Sequence, residues 1–464
     1  MTSAAKRYAG IAPYITAGDS NIVGDDDKLR CGAYAAYDDI YHNRPDTFKV
    51  SMRGDSEGDD QKDILLPGAR RVIEATNRFL AVDFDFVVDP AKGTPEGRSQ
   101  ADEYFTALFK RERMLAKHAN QRRYNLIRGD AVWHITADDT KMPGKRISIH
   151  EVHPGRYFPI EDPEQPNRVI GCHLVDVITD PLDPKKTVAR RQTYRRFARP
   201  NGEYGVTTSL GLYELGKWDD RILDARDIKL LKELKPETEL PKQITSIPVY
   251  HIPNSEISGA EDIFGLSEVS GLETIMAARN QTISDEDLSL VLAGLGVYWT
   301  SSGPPRDANG NELPWVIQPG TVLEVGADQQ FGRVDGISSV QPFVDHMEYL
   351  RQEGDSAYGV PEVAAGRVDV AVAESGISLQ LQFAPLLSKN AEKEQVILDK
   401  YDHMWYDIVN SWMPAYEKLA LEDVSVVTAF GDAMPVNRDA KIQEIIGLVT
   451  STPPLITLPD AMAP

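Results

Sequence analysis

The sequence predicts an α+β protein built from several regions, and three observations carry that reading. Between Ala131 and Ala198, short β-branched or alternating runs are punctuated by Pro143-Gly144, Pro154-Gly155 and Asp183-Pro184, the rhythm of strands and turns. Farther along, Ile397, Tyr401, Met404, Trp405, Ile408, Val409 and Trp412 recur at three- and four-residue steps, the stripe of an amphipathic helix. The chain has 464 residues, and single cores stop growing at roughly 250–300 residues, so more than one core is expected.

Residues up to about Leu66 are rich in Gly, Asp and Tyr, with Ser51 to Lys62 especially polar, and read as loops and short helices. Leu66–Val88 and Gly97–Ile127 read as helices, the second carrying Tyr104, Phe105, Leu108, Leu115 and Ala119 on one face. Strands are expected at Ala131–Thr136, Arg146–Val152, Val169–Thr179 and Ala189–Ala198, followed by a charged, Pro-bounded linker at Lys229–Lys242.

A helix is expected from Gly265 to about Leu292, with Leu266, Val269, Leu272, Ile275, Met276, Ile283, Leu288 and Val291 on its apolar face. It cannot continue through Val297–Thr300 and Trp315–Ile317, β-rich runs separated by the turn formers Gly303-Pro304-Pro305 and Asn309-Gly310. Helical spacing returns with Val340, Phe343, Val344, Met347 and Leu350, and breaks at Gly359-Val360-Pro361 before a loop of small residues, Glu362–Ala371. A long helix begins at Glu374, and beyond Gly431 a tail holds one short helix near Asp439–Val449 and a Pro-rich end.

Composition limits the function. Hydrophobic residues are 41% and charged residues 26%, a mixture that folds. Cys31 and Cys172 alone give neither a disulfide framework nor a Cys-x-x-Cys site, which makes a reducing compartment the default. The first residues lead into no apolar segment of signal-peptide length, and no run approaches the roughly 20 residues that span a bilayer, so neither export nor membrane insertion is expected. A net charge of −21 disfavours a broad grip on nucleic acid, which requires Lys and Arg to displace counterions. An acidic wall would instead let a phosphate backbone pass without sticking.

Several local motifs compete with plainer readings. His150-Glu151-Val152-His153 has metal-ligand residue types, but on a strand the two imidazoles point apart, whereas a zinc-protease pair needs i, i+4 spacing on a helix. Gly24-Asp25-Asp26 and Gly58-Asp59-Asp60 resemble the acidic turn of polymerases but read as solvated loops. Arg53-Gly54-Asp55 and Arg128-Gly129-Asp130 match an adhesion tripeptide and read as turns, Gly129 supplying a helix-to-strand break. Arg190, Arg191, Arg195, Arg196 and Arg199, interleaved with Tyr194 and Phe197, form the strongest basic cluster. It reads as an exposed strand whose charges oppose edge pairing and meet acidic neighbours, rather than as a nucleic-acid face. No Gly-x-x-x-x-Gly-Lys-Ser/Thr phosphate loop and no Gly-x-Ser-x-Gly elbow occurs, so neither ATP hydrolysis nor acyl transfer is indicated. A metal-dependent hydrolase around His150 and His153 and a non-enzymatic scaffold or adhesion module using Arg53–Asp55 are the alternatives from other classes.

The order helix, β tip, helix, loop, long helix resembles portal proteins, the head-to-tail connectors of tailed double-stranded-DNA bacteriophages. Phe264-Gly265-Leu266-Ser267, Tyr358-Gly359-Val360-Pro361 and Ser378 to Gln395 look like that family's marker segments, within a resemblance covering about Arg98 to Glu417. The resemblance implies a wing at residues 1–262, stem helices at 263–294 and 337–359, a clip at 295–336, a tunnel loop at 360–373, a long helix at 374–430 and a short crown or tail at 431–464. It implies that Val363, Gly366, Arg367, Val368, Asp369 and Val370 form the tunnel loop, and that Asp285, Glu286, Asp287 and Glu353 line the channel. Trp299, Pro304, Asn309, Trp315 and Leu323 would make the clip contacts.

The resemblance implies a ring of twelve copies at one capsid vertex, carrying 12 × (−21) = −252 formal charges. The implied partners are the major capsid protein, a scaffolding protein where one exists, the terminase large subunit, the head-tail adaptor, and double-stranded DNA passing through. Assembly would occur in the host cytoplasm and residence in the virion, with no catalytic residue, metal or cofactor.

Overall fold

The computed structural model describes residues 26–44, 47–48, 64–180, 183–214, 229–255, 263–295, 297–301, 303–304, 309–312, 330–334, 339–364, 376–431 and 433, and across these helices and strands mix in an α+β arrangement. In chain order the elements are α1 (Asp26–His42), α2 (Gly68–Phe79), β1 (Asp85–Val88), α3 (Pro95–Glu112), α4 (Met114–Arg128), β2 (Asp130–Ala137), β3 (Ile147–Val152), β4 (Tyr157–Asp162), β5 (Gln165–Thr179), β6 (Thr187–Ala198), β7 (Tyr204–Glu214), β8 (Leu230–Glu239) and β9 (Val249–Pro253). Then follow α5 (Leu272–Leu295), β10 (Val297–Thr300), β11 (Phe331–Val334), α6 (Gln341–Ala357), α7 (Gly376–Asp407), a π-helix (Ile408–Glu417) and β12 (Val426–Ala429). The chain divides into two compact units, the first of Met1–His42, Ala69–Gly271 and Asp355–Pro464, the second of Asn43–Gly68 and Leu272–Gly354.

The first unit holds a three-stranded sheet β3-β2-β9, a five-stranded sheet β4-β5-β6-β7-β8 and the pair β1-β12. β2 is central, antiparallel to both neighbours, with Trp133 opposite Glu151 on one side and Tyr250 on the other. Its residues Asp130 to Ile135 are buried, as expected of a strand covered on both faces. The predicted C-terminal stripe is core: Tyr401, Met404, Trp405, Ile408 and Trp412 are all buried. Trp405 packs against Phe105 and Phe109, and its indole N–H donates to Thr428 Oγ1 at 2.9 Å, tying β12 to α7.

Several elements differ from the sequence reading. The expected helix Gly97–Ile127 is two helices, because Arg113 adopts a left-handed conformation (φ 55°) between them. The break changes the phase, so Tyr104, Phe105 and Leu108 are buried while Leu115 is 63% exposed. The expected helix Leu66–Val88 stops at Phe79 and becomes β1, whose partner β12 is supplied by residues about 340 positions later. Lys229–Lys242 is not a linker but contains β8, an edge strand exposed on both faces and paired to β7 through three register shifts. With both faces wet, it has no apolar alternation to betray it. β6 is an interior strand rather than an edge. The N-terminal region holds α1, seventeen residues long, with Tyr34, Tyr37, Ile40 and Tyr41 buried. The long C-terminal helix ends at Glu417 rather than continuing to 430, passing first into π geometry around Pro414, which lacks an N–H for an α-helical ladder.

In the second unit, α5 buries Leu272, Met276, Asn280 and Ser284 along one face, with Glu273 buried beside the first of them. The polar members bind the incoming segment: Leu66 N–H donates to Asn280 Oδ1 (2.9 Å) and Ile64 N–H to Ser284 Oγ (3.1 Å). α6 approaches where Gly354 faces Ile275; a Cβ at Gly354 would lie 3.7 Å from Ile275 Cγ2. Among the described residues β10 and β11 form a two-stranded antiparallel pair with Trp299 opposite Gly332.

Candidate functional site

The Phe264-Gly265-Leu266-Ser267 segment precedes α5 instead of opening it, and docks where α4 gives way to β2. Gly129 ends α4 with φ +92°, as its reading as a helix-to-strand break requires. Gly265 crosses it so closely that a Cβ would lie 2.3 Å from Gly129 O and 2.7 Å from Asn254 N. The Gly265 N–H donates to Asp130 Oδ1 at 2.8 Å. That carboxylate is fully buried and also meets Tyr34 Oη (2.5 Å) and His251 Nε2 (2.7 Å), so the Arg128-Gly129-Asp130 tripeptide is structural. The Phe264 ring lies 4.1 Å from the buried Arg30 guanidinium, which donates to the carbonyls of Pro154 and Tyr157 at 2.9 Å each. The Ser267 hydroxyl donates to Ile127 O and accepts from Val269 N (2.9 Å). Gly271 (φ +90°) then turns the chain, and α5 starts at Leu272, seven residues later than expected.

The same first unit fixes the base of the small-residue loop. Tyr358 Oη donates to Ser270 O, Gly359 takes φ +64°, and Val360 N–H donates to Asp355 O at 2.9 Å. Lys389, from α7, donates to Tyr358 O at 3.0 Å and to Glu268 at 2.5 Å. Lys393, one turn on, reaches Glu268 at 2.7 Å and Asn254 Oδ1 at 3.1 Å. Burial alone would raise the Glu268 carboxyl, but the charges and hydrogen bonds of Lys393 and Lys389 pull it down to about 2. Burial lowers Lys393, because one carboxylate shared by two ammonium groups does not fully offset its desolvation. The sequence reading missed this triad, although two lysines at i and i+4 on a buried helix face are a signal that an anion lies between them.

Of the expected loop residues, Val363 is half-buried in a turn closed by Ala364 N–H to Pro361 O (2.9 Å), while Gly366, Arg367, Val368, Asp369 and Val370 lie outside the described residues. On α5, Asp285 is half-buried and accepts from Gln281 Nε2 at 2.9 Å, Glu286 is half-buried and Asp287 exposed. Successive helical residues turn about 100° each, so these three carboxylates point in three directions around α5. Glu353 is exposed on α6. Trp299 is 46% exposed and lies across Gly332, whose Cβ would be 2.6 Å from the indole nitrogen. Pro304 and Asn309 are exposed, and Trp315 and Leu323 lie outside the described residues.

The competing motifs resolve into structural roles where they are described. His150 Nε2 meets Thr136 Oγ1 at 2.8 Å, whereas His153 Nδ1 accepts from Gly155 N at 3.0 Å, so the two rings serve different neighbours. Among the described residues, no group of three or more His, Cys, Asp or Glu side chains could hold a metal ion. Arg191 stacks on Tyr213 (3.9 Å), Arg196 on Tyr204 (3.8 Å), Arg190 faces Asp176 (3.8 Å) and Arg199 pairs with Glu239 (2.7 Å). Asp26 opens α1, and the remaining Gly-Asp-Asp residues and Arg53-Gly54-Asp55 lie outside the described residues. No described helix is long and apolar enough to cross a membrane. The sequence matches no protein-family model and has no significant match among curated proteins.

Proposed function

We propose that this chain is a phage portal subunit, a ring component through which double-stranded DNA is packaged and ejected. The observation that carries the reading is the element order α5, the short pair β10–β11, α6 and then the long α7, with a stretch of small residues in the sequence between the last two. In this reading α5 and α6 are the stem, β10–β11 belongs to the clip, and 360–373 is the tunnel loop. The first unit, with its three sheets, carries the wing. The fixed base of the loop, from Tyr358 to Val360, suits a segment that must hold its place beside a moving strand.

The mechanism is passive guidance. The acidic subunits, each at −21, repel a polymer bearing one charge per about 1.7 Å, so contacts stay weak while a separate terminase supplies the force. After filling, the clip passes from the terminase to the head-tail adaptor, and the ring sits in the capsid shell of the virion. Native mass spectrometry of the purified chain tests this: a species at about twelve times the 51.5 kDa subunit mass supports the reading. A strictly monomeric chain, also after mixing with capsid protein, counts against it.

A further inference from the structure

The turn joining β2 to β3 and the junction of α3 with α4 border an open surface cavity of about 440 Å³. Its frame is rigid. The Arg111 guanidinium donates to Gly144 O (2.7 Å) and Ile147 O (2.6 Å), and the Glu417 carboxylate accepts from Gly144 N (2.5 Å) and Arg146 N (2.9 Å). Three cations, Arg111, Lys141 and Lys145, line the cavity against one acid, Glu112. Glu112 is already engaged by Lys117 at 2.9 Å. Burial alone would raise its carboxyl, but the hydrogen bond and charge of Lys117, Ile149 N–H and Arg111 hold it below the ordinary range, so it stays ionised. The Lys141 ammonium donates to the Ser148 hydroxyl (3.3 Å) and its charge also reaches the Asp138 carboxylate, but neither Lys141 nor Lys145 makes an ion pair within 4.0 Å among the described residues.

Two ammonium groups without an ion pair thus border one cavity, on a chain of net charge −21. The donor set identifies the ligand. A planar carboxylate is matched best by a free guanidinium fork, and the fork of Arg111 is committed to backbone carbonyls. Rotatable ammonium groups and a hydroxyl, the latter still with its own proton to give, suit the tetrahedral oxygens of a phosphate. We propose that this cavity is a binding site for a phosphate group, held by Lys141, Lys145 and Ser148 within the frame set by Arg111 and Glu417. The site is independent of the conduit reading and lies apart from the small-residue loop in sequence.

The test is calorimetric titration of the full chain with inorganic phosphate, and separately with a short DNA duplex. Lys141→Ala/Lys145→Ala is expected to weaken phosphate binding by about tenfold or more, since each removes a charge-assisted hydrogen bond. Lys232→Ala/Lys235→Ala, which removes the same charge from the exposed strand β8, is expected to leave it unchanged. Both pairs are exposed, and thermal melting checks that each variant folds. Phosphate binding without duplex binding assigns the site to a small ligand. A duplex that displaces phosphate, and is itself lost in the first variant, assigns it to nucleic acid. Absence of binding by either ligand, or equal weakening by both variants, overturns the proposal.

Discussion

Glu268 serves two ammonium groups of one helix face, its carboxylate lying 2.5 Å from Lys389 and 2.7 Å from Lys393. Glu268→Gln strands two cations in a largely buried place, and a loss of about 3 kcal/mol in denaturant unfolding is expected. Because folding depresses this carboxyl from 4.5 to about 2, its contribution is complete above about pH 4.5 and drains away as pH falls toward 2. The variant should therefore show a flatter stability profile in that window than the parent chain. An unchanged profile would show that the triad does not carry the charge coupling inferred from its geometry.

Gly265 is expected to tolerate no side chain. Gly265→Ala places a Cβ 2.3 Å from Gly129 O, backbone against backbone, and should cost about 3 kcal/mol or more. Gly144→Ala meets open space but must adopt φ +80°, so only about 1 kcal/mol is expected. Urea midpoints of the two variants rank these costs, and equal midpoints would contradict the close approach.

How much of this was legible in the sequence depended on how local the cause was. The stripe from Ile397 to Trp412 and strands β2, β3, β5 and β6 follow from side-chain period, which local sequence records. β8 carries charges on both faces and a proline, and it is a strand only because β7 lies beside it. β1 and β12 make a four-residue ladder that requires distant segments to meet. The break at Arg113 involves neither Gly nor Pro, so nothing announced it. At the candidate site, Gly265 stood out as part of a motif, but its reason, the carbonyl of Gly129, lies 136 positions away in the sequence.

Acid should weaken the first unit well before its carboxylates titrate. Burial lowers His118, stacked on Phe84, and His134, bonded to Tyr194, to about 3 each. The unfolded chain takes up these protons below about pH 6.5, so stability falls with pH across the window from 6.5 to 3. Each histidine accounts for about 2 kcal/mol at pH 5. Burial lowers His153 to about 3 as well, so His118→Gln should remove about a third of the dependence, read from unfolding midpoints at pH 7.5 and pH 5.

Trp299 separates folding from assembly. Its indole covers Gly332 on the β10–β11 ladder and is half in solvent. Trp299→Ala should leave the cooperative melting of the first unit unchanged. In the portal reading it lowers the yield of closed rings, because a large aromatic at a subunit contact is worth about 2 kcal/mol or more. Size-exclusion profiles of the two proteins at equal concentration make the comparison, and an identical ring fraction would remove Trp299 from the contact.

The central claim is that copies of this chain close around a hole, and single-particle electron microscopy of the purified protein without nucleic acid tests it most directly. The account predicts closed rings of about twelve subunits with an axial channel, the segment 360–373 at its narrowest level and α5 and α6 along its wall. Head-to-tail contacts close in this way only when the rotation between neighbours is fixed. Compact monomers or two-fold dimers with no central opening, both alone and in the presence of capsid protein, would contradict it.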